Sequence, residues 1–121
     1  MSTLHRAYLS LGSNIAPEQN LPAAVLELAR HCRIVAVSHV WESAPFDGSD
    51  QNNYLNAATL IETELSAADF HRRVIVAVET ALGRVRHPGY KNAPRTIDID
   101  LSLFDHETLS LDHRQIPAPD I

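Results

Sequence analysis

An α+β fold is predicted for this 121-residue chain by three observations. Four stretches read as strands, two of them alternating apolar and polar residues with the period of two that marks a half-buried strand. Two further stretches repeat apolar residues at the spacing of a helix. The order along the chain is strand, helix, strand, strand, helix, strand, followed by a small hairpin. That order belongs to the ferredoxin-like, split βαββαβ sandwich, an antiparallel sheet carrying both helices on one face. A single domain over residues 1–121 is expected, burying about 60% or a little more of its unfolded surface.

Ala7-Tyr8-Leu9-Ser10-Leu11 reads as the first strand, ended by a tight turn at Gly12-Ser13-Asn14. The same three residues could instead form an anion nest, because small residues let backbone N–H groups converge. A helix follows from around Asn20 to His31, with Asn20 as its cap and Pro22 tolerated in the first turn. Leu21, Val25, Leu28 and Ala24 form its buried stripe. Ile34 to Trp41 alternate loosely as a second strand. Ser43 to Asn53 is a long polar loop, which in a compact domain marks mobility or function. Tyr54 to Thr63 reads as the third strand. Ser66-Ala67-Ala68-Asp69 is a capping box, with Leu65 and Phe70 placed as a hydrophobic staple. The second helix runs from Ala67 to about Leu82, buries Phe70, Val74, Val78 and Ala81, and stops at Gly83. In the fourth strand Ile97, Ile99, Leu101 and Leu103 make one apolar face, opposed to Asp98, Asp100 and Ser102. Asp105-His106-Glu107-Thr108 then reads as a hairpin turn, Leu109 to Leu111 as a return strand, and Pro117-Ala118-Pro119 as an extended end.

Composition narrows the function classes. Apolar residues make up 45% and charged residues 21%, with a formal charge of -5. Without a basic excess the chain is not expected to bind nucleic acid, although a local arginine cluster can still hold a small phosphorylated molecule. Cys32 stands alone, so no disulfide framework or cysteine-based metal site is expected. No apolar run reaches membrane-spanning length and no leader pattern opens the chain. A cytoplasmic protein with no membrane partner is the expectation.

The chemistry concentrates in two places. Asp98 and Asp100 stand at i and i+2 on one face of a strand, about 6.5–7 Å apart. At an effective dielectric of about 20, two full charges at that distance repel by roughly 2.5 kcal/mol. Magnesium, a hard cation that takes one or two carboxylates together with substrate phosphates, would offset the repulsion. A solvated edge strand is the plainer alternative. Just upstream, Arg84, Arg86, His87, Lys91 and Arg95 form a positive patch that leads into the aspartates. Phosphates held by arginines on one side and a carboxylate-bound metal on the other would account for both halves; a solvated basic loop would not need a ligand. Glu79 lies at the negative end of its helix dipole, with Arg84 close enough to compensate it. Tyr54 and Asn56 share a strand face, where a ring and an amide could read a flat heterocycle, or simply satisfy the adjoining loop.

Together these residues resemble the 6-hydroxymethyl-7,8-dihydropterin pyrophosphokinase family of folate biosynthesis. The matching pieces are Leu11-Gly12-Ser13-Asn14, Tyr54-Leu55-Asn56-Ala57-Ala58, Ile61-Glu62-Thr63, Glu79 ahead of Leu82-Gly83-Arg84-Val85-Arg86, and Pro94-Arg95-Thr96-Ile97-Asp98-Ile99-Asp100-Leu101. The resemblance implies that Asp98 and Asp100 hold two magnesium ions bridging the phosphates of the co-substrate ATP. It implies Arg84 and Arg95 as phosphate-binding catalytic residues, with Arg86, Glu79 and Leu101 also at the nucleotide. It implies that Tyr54 stacks on the pterin, Asn56 reads its amide edge, and Ser43, Pro45 and Phe46 wall the ring. The implied reaction moves pyrophosphate from ATP to the hydroxymethyl oxygen and releases AMP. The chain departs from the family pattern at Asn92-Ala93, where an aromatic and a glycine are usual, and at Pro117-Ala118, where proline-histidine is usual. By the same resemblance it is expected to lack the family's C-terminal extension beyond Ile121. A non-catalytic pterin- or nucleotide-binding protein is the alternative. A module that pairs as a homodimer through an exposed sheet edge, rather than standing as a monomer, is a third reading.

Overall fold

A computed structural model describes residues 4–45, 52–84 and 94–105, together with the backbone of 109–111 and 114–116. The strands are β1 (His5–Ser13), β2 (Arg33–Val37), β3 (Trp41–Ser43), β4 (Tyr54–Thr63), β5 (Asp98–Phe104), β6 (Leu109–Leu111) and β7 (Arg114–Ile116). Helix α1 spans Pro17–Leu28; a second helix, α2, is continuous through Ala67–Phe70, a π-helical turn at His71–Ile75, and Val76–Ala81. The main sheet runs β2-β4-β1-β5 with every neighbour antiparallel, and β3 extends the β2 side of β4. This is the expected α+β, ferredoxin-like arrangement.

Strand alternation places the core. Ala7, Leu9 and Leu11 of β1, Ala57 and Ile61 of β4, and Ile97, Ile99 and Leu101 around β5 are buried on one face. Leu21, Ala24 and Leu28 of α1 join them, as do Phe70, Val74, Ile75 and Val78 of α2. Removing either fully buried phenylalanine, Phe70 or Phe104, would cost about 3–5 kcal/mol.

The elements differ from expectation at six places, each for a local reason. Helix α1 starts three residues early, because Pro17 at the first helical position has the φ a helix start needs. Asn20 therefore lies inside the helix and donates to Ile15 O at 2.6 Å instead of capping, and Pro22 sits beyond the first turn. The second strand breaks in two. Ser38 interrupts the ladder, its N–H donating to Ala58 O and its Oγ accepting the Ala58 N–H, both at 2.8 Å. Gly12 and Ser13 remain in β1 rather than turning. In α2 Ile75 is buried and Ala81 exposed, because the π turn holds an extra residue.

Near the end of β5, Ser102 is a bulge: Leu9 pairs with Leu101 but Tyr8 pairs with Leu103. The extra residue turns Leu103 to the Tyr8 side and brings Phe104 into the core. Finally, Leu109–Leu111 does not return along β5. It pairs with Arg114–Ile116 in a separate ribbon, while Asp105 turns at φ 51 and folds back on β1, its N–H donating to Arg6 O at 2.7 Å.

Candidate active site

The register of the sheet brings the separated motifs into one row. Asp98 stands opposite Gly12, Gly12 opposite Asn56, and Asn56 opposite Trp41. Asp100 lies in the next row, opposite Ser10. Gly12 makes the row passable: a Cβ there would stand 3.3 Å from Asn56 Oδ1 and 3.5 Å from Tyr54 Cδ1. With no side chain in between, Tyr54 and Asn56 lean over β1 towards the carboxylates.

The result is a cleft of about 420 Å³, the size range of small-molecule sites. Its floor is Ser10, Leu11 and Gly12; one end has Ser43, Ala44, Pro45, Tyr54 and Asn56, the other Arg95, Asp98 and Asp100. The Asn56 amide is oriented by donating to Trp41 O at 3.1 Å and Ser43 Oγ at 2.9 Å. Tyr54 and Asn56 thus meet the aspartates across the intervening β1, and Ser43 and Pro45 join them. Phe46 and Arg86 lie outside the described residues.

The charged end is supported from beneath. The π turn of α2 advances the helix by one residue, about 100° of rotation. That rotation carries Glu79 to the inner face, where it is 5% exposed. Glu79 Oε2 accepts the Ile99 N–H at 3.0 Å and a bond from Arg84 Nη1. The helix ends in a Schellman motif: Gly83, at φ 78, donates to Thr80 O, and Arg84 N–H donates to Glu79 O, both at 3.0 Å. This turn brings the Arg84 side chain back onto Glu79, the compensation expected from the helix dipole. The same Nη1 reaches Asp98 Oδ1 at 3.0 Å, and Arg95 Nη1 reaches Asp98 Oδ2 at 3.0 Å. Asp98 is therefore held between two guanidinium groups.

Three of the expected nucleotide residues do not line the cleft. Arg84, its side chain 11% exposed, meets the cleft's lining through Asp98 Oδ1. Glu79 is committed to Arg84 and the Ile99 amide, and Leu101, 3% exposed, points into the core on the far face of β5.

Asn14 carries a role that residue spacing did not reveal. It is 2% exposed, accepts the Arg95 N–H on Oδ1 at 2.8 Å, and donates from Nδ2 to Asn52 O at 3.3 Å. Its own N–H donates to Arg95 O at 3.1 Å, so that group is not part of an anion nest. The signal available in the sequence was an amide side chain placed directly after a strand that borders the site.

Asp98 and Asp100 present hard oxygen donors on one face of β5. Among the described residues no group of three or more His, Cys, Asp or Glu is placed to hold a metal. A two-carboxylate set suits magnesium completed by phosphate and water rather than a metal enclosed by protein ligands. No described helix is long and apolar enough to cross a membrane.

Known proteins resemble this chain over most of its length. The model of a family described as 7,8-dihydro-6-hydroxymethylpterin-pyrophosphokinase (HPPK) matches residues 8–121. A 2-amino-4-hydroxy-6-hydroxymethyldihydropteridine pyrophosphokinase of Pseudomonas aeruginosa is 34% identical over 117 residues, covering 94% of this chain and 70% of the relative. A protein of the same name from Methylorubrum extorquens is 38% identical, covering 90% and 72%. A folic acid synthesis protein of Dictyostelium discoideum is 32% identical, covering 93% of this chain but 17% of the relative.

Proposed function

Because the chain belongs to the 7,8-dihydro-6-hydroxymethylpterin-pyrophosphokinase family, we propose that it transfers pyrophosphate from ATP to the hydroxymethyl group of 6-hydroxymethyl-7,8-dihydropterin or a related pterin alcohol. The observation that carries this reading is the row from Asn56 across Gly12 to Asp98. It joins an aromatic, amide-bearing end and a carboxylate–arginine end in one cleft, with no side chain between them.

In the proposed reaction the hydroxymethyl oxygen forms a bond to the β-phosphorus and gives up its proton to solvent, the β-phosphorus–oxygen bond on the α side breaks, and AMP leaves with the bridging oxygen. Tyr54 offers a ring face to the pterin, Asn56 its amide, and Ser43 and Pro45 the adjoining wall. Arg95 and Arg84 offset charge on the transferring group, where preoriented donors act most strongly. Asp98 and Asp100 would hold magnesium, two ions by the family resemblance, and its chemistry there is neutralisation of the polyphosphate. Glu79 acts from below, fixing Arg84 and the start of β5. Leu101 anchors the same strand in the core. Arg86 and Phe46 remain candidates for the nucleotide and the pterin wall.

The test is to incubate the chain with ATP, magnesium and 6-hydroxymethyl-7,8-dihydropterin and to follow products by phosphorus NMR. One AMP per pyrophosphorylated pterin is expected, with the product lost when magnesium is chelated. ADP in place of AMP would mark transfer of a single phosphoryl group and refute pyrophosphate transfer; no AMP at enzyme concentrations matching the substrates would leave the binding-protein and sheet-edge readings.

A further inference from the structure

We propose that Asn14 is a positioning residue: it sets the phosphate-binding end of the cleft at a fixed place relative to the aromatic end. The inference rests on the pyrophosphate-transfer reading and adds to it the element that holds donor and acceptor in line.

The two ends of the cleft belong to segments far apart in sequence. Arg95 precedes β5, and Asn52 lies two residues ahead of Tyr54, where β4 begins. Neither Arg95 nor Asn52 is itself within a strand, so neither is placed by the ladder alone. Asn14, at the end of β1, binds both. Its Oδ1 and its own N–H take the N–H and the carbonyl of Arg95, at 2.8 and 3.1 Å. Its Nδ2 takes the carbonyl of Asn52 at 3.3 Å. The amide orientation is unambiguous, since an N–H demands the oxygen and a carbonyl demands the nitrogen. At 2% exposure these bonds are shielded from competing water. Arg95 then reaches Asp98 through its side chain at 3.0 Å.

In-line transfer depends on the separation of the reacting atoms, and a misplacement of about 1 Å can cost about a hundredfold in rate. A buried asparagine serving stability alone would lower the unfolding midpoint and leave the kinetics of the folded enzyme alone. A positioning asparagine would alter kcat.

Two variants of the full chain separate these. Asn14→Ala removes the side-chain bonds to Arg95 and Asn52. Asn14→Asp keeps the acceptor for the Arg95 N–H but sets an oxygen against Asn52 O. Expected for Asn14→Ala is a kcat lowered about a hundredfold, with the KM for ATP and for the pterin each within about threefold. Expected for Asn14→Asp is a KM for ATP near wild type, a raised KM for the pterin, and an intermediate kcat. If both variants are less stable in urea yet keep kcat and both KM values within about twofold of wild type, the proposal is overturned. If the wild-type chain itself releases no AMP, the reaction reading fails, and Asn14 is then judged by amide hydrogen exchange. Selective acceleration at Arg95 in Asn14→Ala, by about tenfold or more over the β1 amides, supports the clamp. Uniform acceleration, or none, refutes it.

Discussion

Replacing Glu79 with alanine tests whether the charged end of the site is held from inside the fold. Glu79 Oε2 accepts the buried Ile99 N–H at 3.0 Å and a bond from Arg84, and the two side chains are only 6% and 11% exposed. Alanine would strip the Ile99 N–H of this acceptor, about 1–3 kcal/mol, and delete a charge-assisted bond of about 1.5–3 kcal/mol. Arg84 keeps Asp98 Oδ1 at 3.0 Å, so the combined loss should lie near the about 3–5 kcal/mol for breaking a buried ion pair. At roughly 3–5 °C per kcal/mol for a chain of this length, the thermal midpoint should fall by roughly 10–25 °C. Glu79→Gln keeps a carbonyl oxygen for Ile99 and loses the charge, and should cost about 1–2 kcal/mol. Thermal and urea unfolding of the three proteins, followed by circular dichroism, reads these values. An alanine variant melting within about 3 °C of wild type would refute the inner support. A glutamine variant as damaged as the alanine one would refute the part assigned to the Ile99 bond.

Asp98→Asn keeps an oxygen between Arg84 and Arg95 but removes the charge. Magnesium-dependent nucleotide binding should weaken tenfold or more, about 1.4 kcal/mol, with an unchanged far-ultraviolet spectrum; calorimetry checks the first, and global unfolding would show the residue to be structural. Gly12→Ala places a methyl 3.3 Å from Asn56 Oδ1, so that amide must give by a few tenths of an ångström, while the 3.5 Å approach to Tyr54 Cδ1 is ordinary contact; the cost should be about 1 kcal/mol. Steady-state kinetics should show a several-fold higher KM for the pterin with the KM for ATP unchanged, and an equal change in both would count against the assignment of Tyr54 and Asn56.

The face carrying Asp98 and Asp100 was legible because strand alternation is a strong local signal, and Ile97, Ile99 and Leu101 answer it from the core. So was the compensation of Glu79 by Arg84, which needed only a helix end and five residues. What escaped the sequence were single-residue irregularities. The π turn that delivers Glu79 inward, and the bulge that reverses Leu103 and Phe104, each shift a period by one without leaving a distinctive residue type. Ser38 looked like a strand residue, yet its hydroxyl replaces a ladder partner. Asn14 escaped for a different reason. Its side-chain partners, Arg95 and Asn52, lie 81 and 38 residues away, and no local rule announces a contact at that distance. The start of α1 was decided by a choice between Pro17 and Pro22, two residues with the same local meaning.

The bulge at Ser102 also bears on how β5 can change in length. Deleting a residue elsewhere in the strand turns the following side chains over, trading core for surface. Ser102 is the residue that has no opposite number on β1. Its loss would leave Asp98, Asp100 and Leu103 on one face and Ile99, Leu101 and Phe104 on the other, at the expense of the 2.8 Å contact with Ser10 Oγ. The strand therefore contains a position where a deletion keeps every other side chain on its face. The carboxylates and the aromatic anchor at its two ends can close up by a residue without either leaving its side of the sheet.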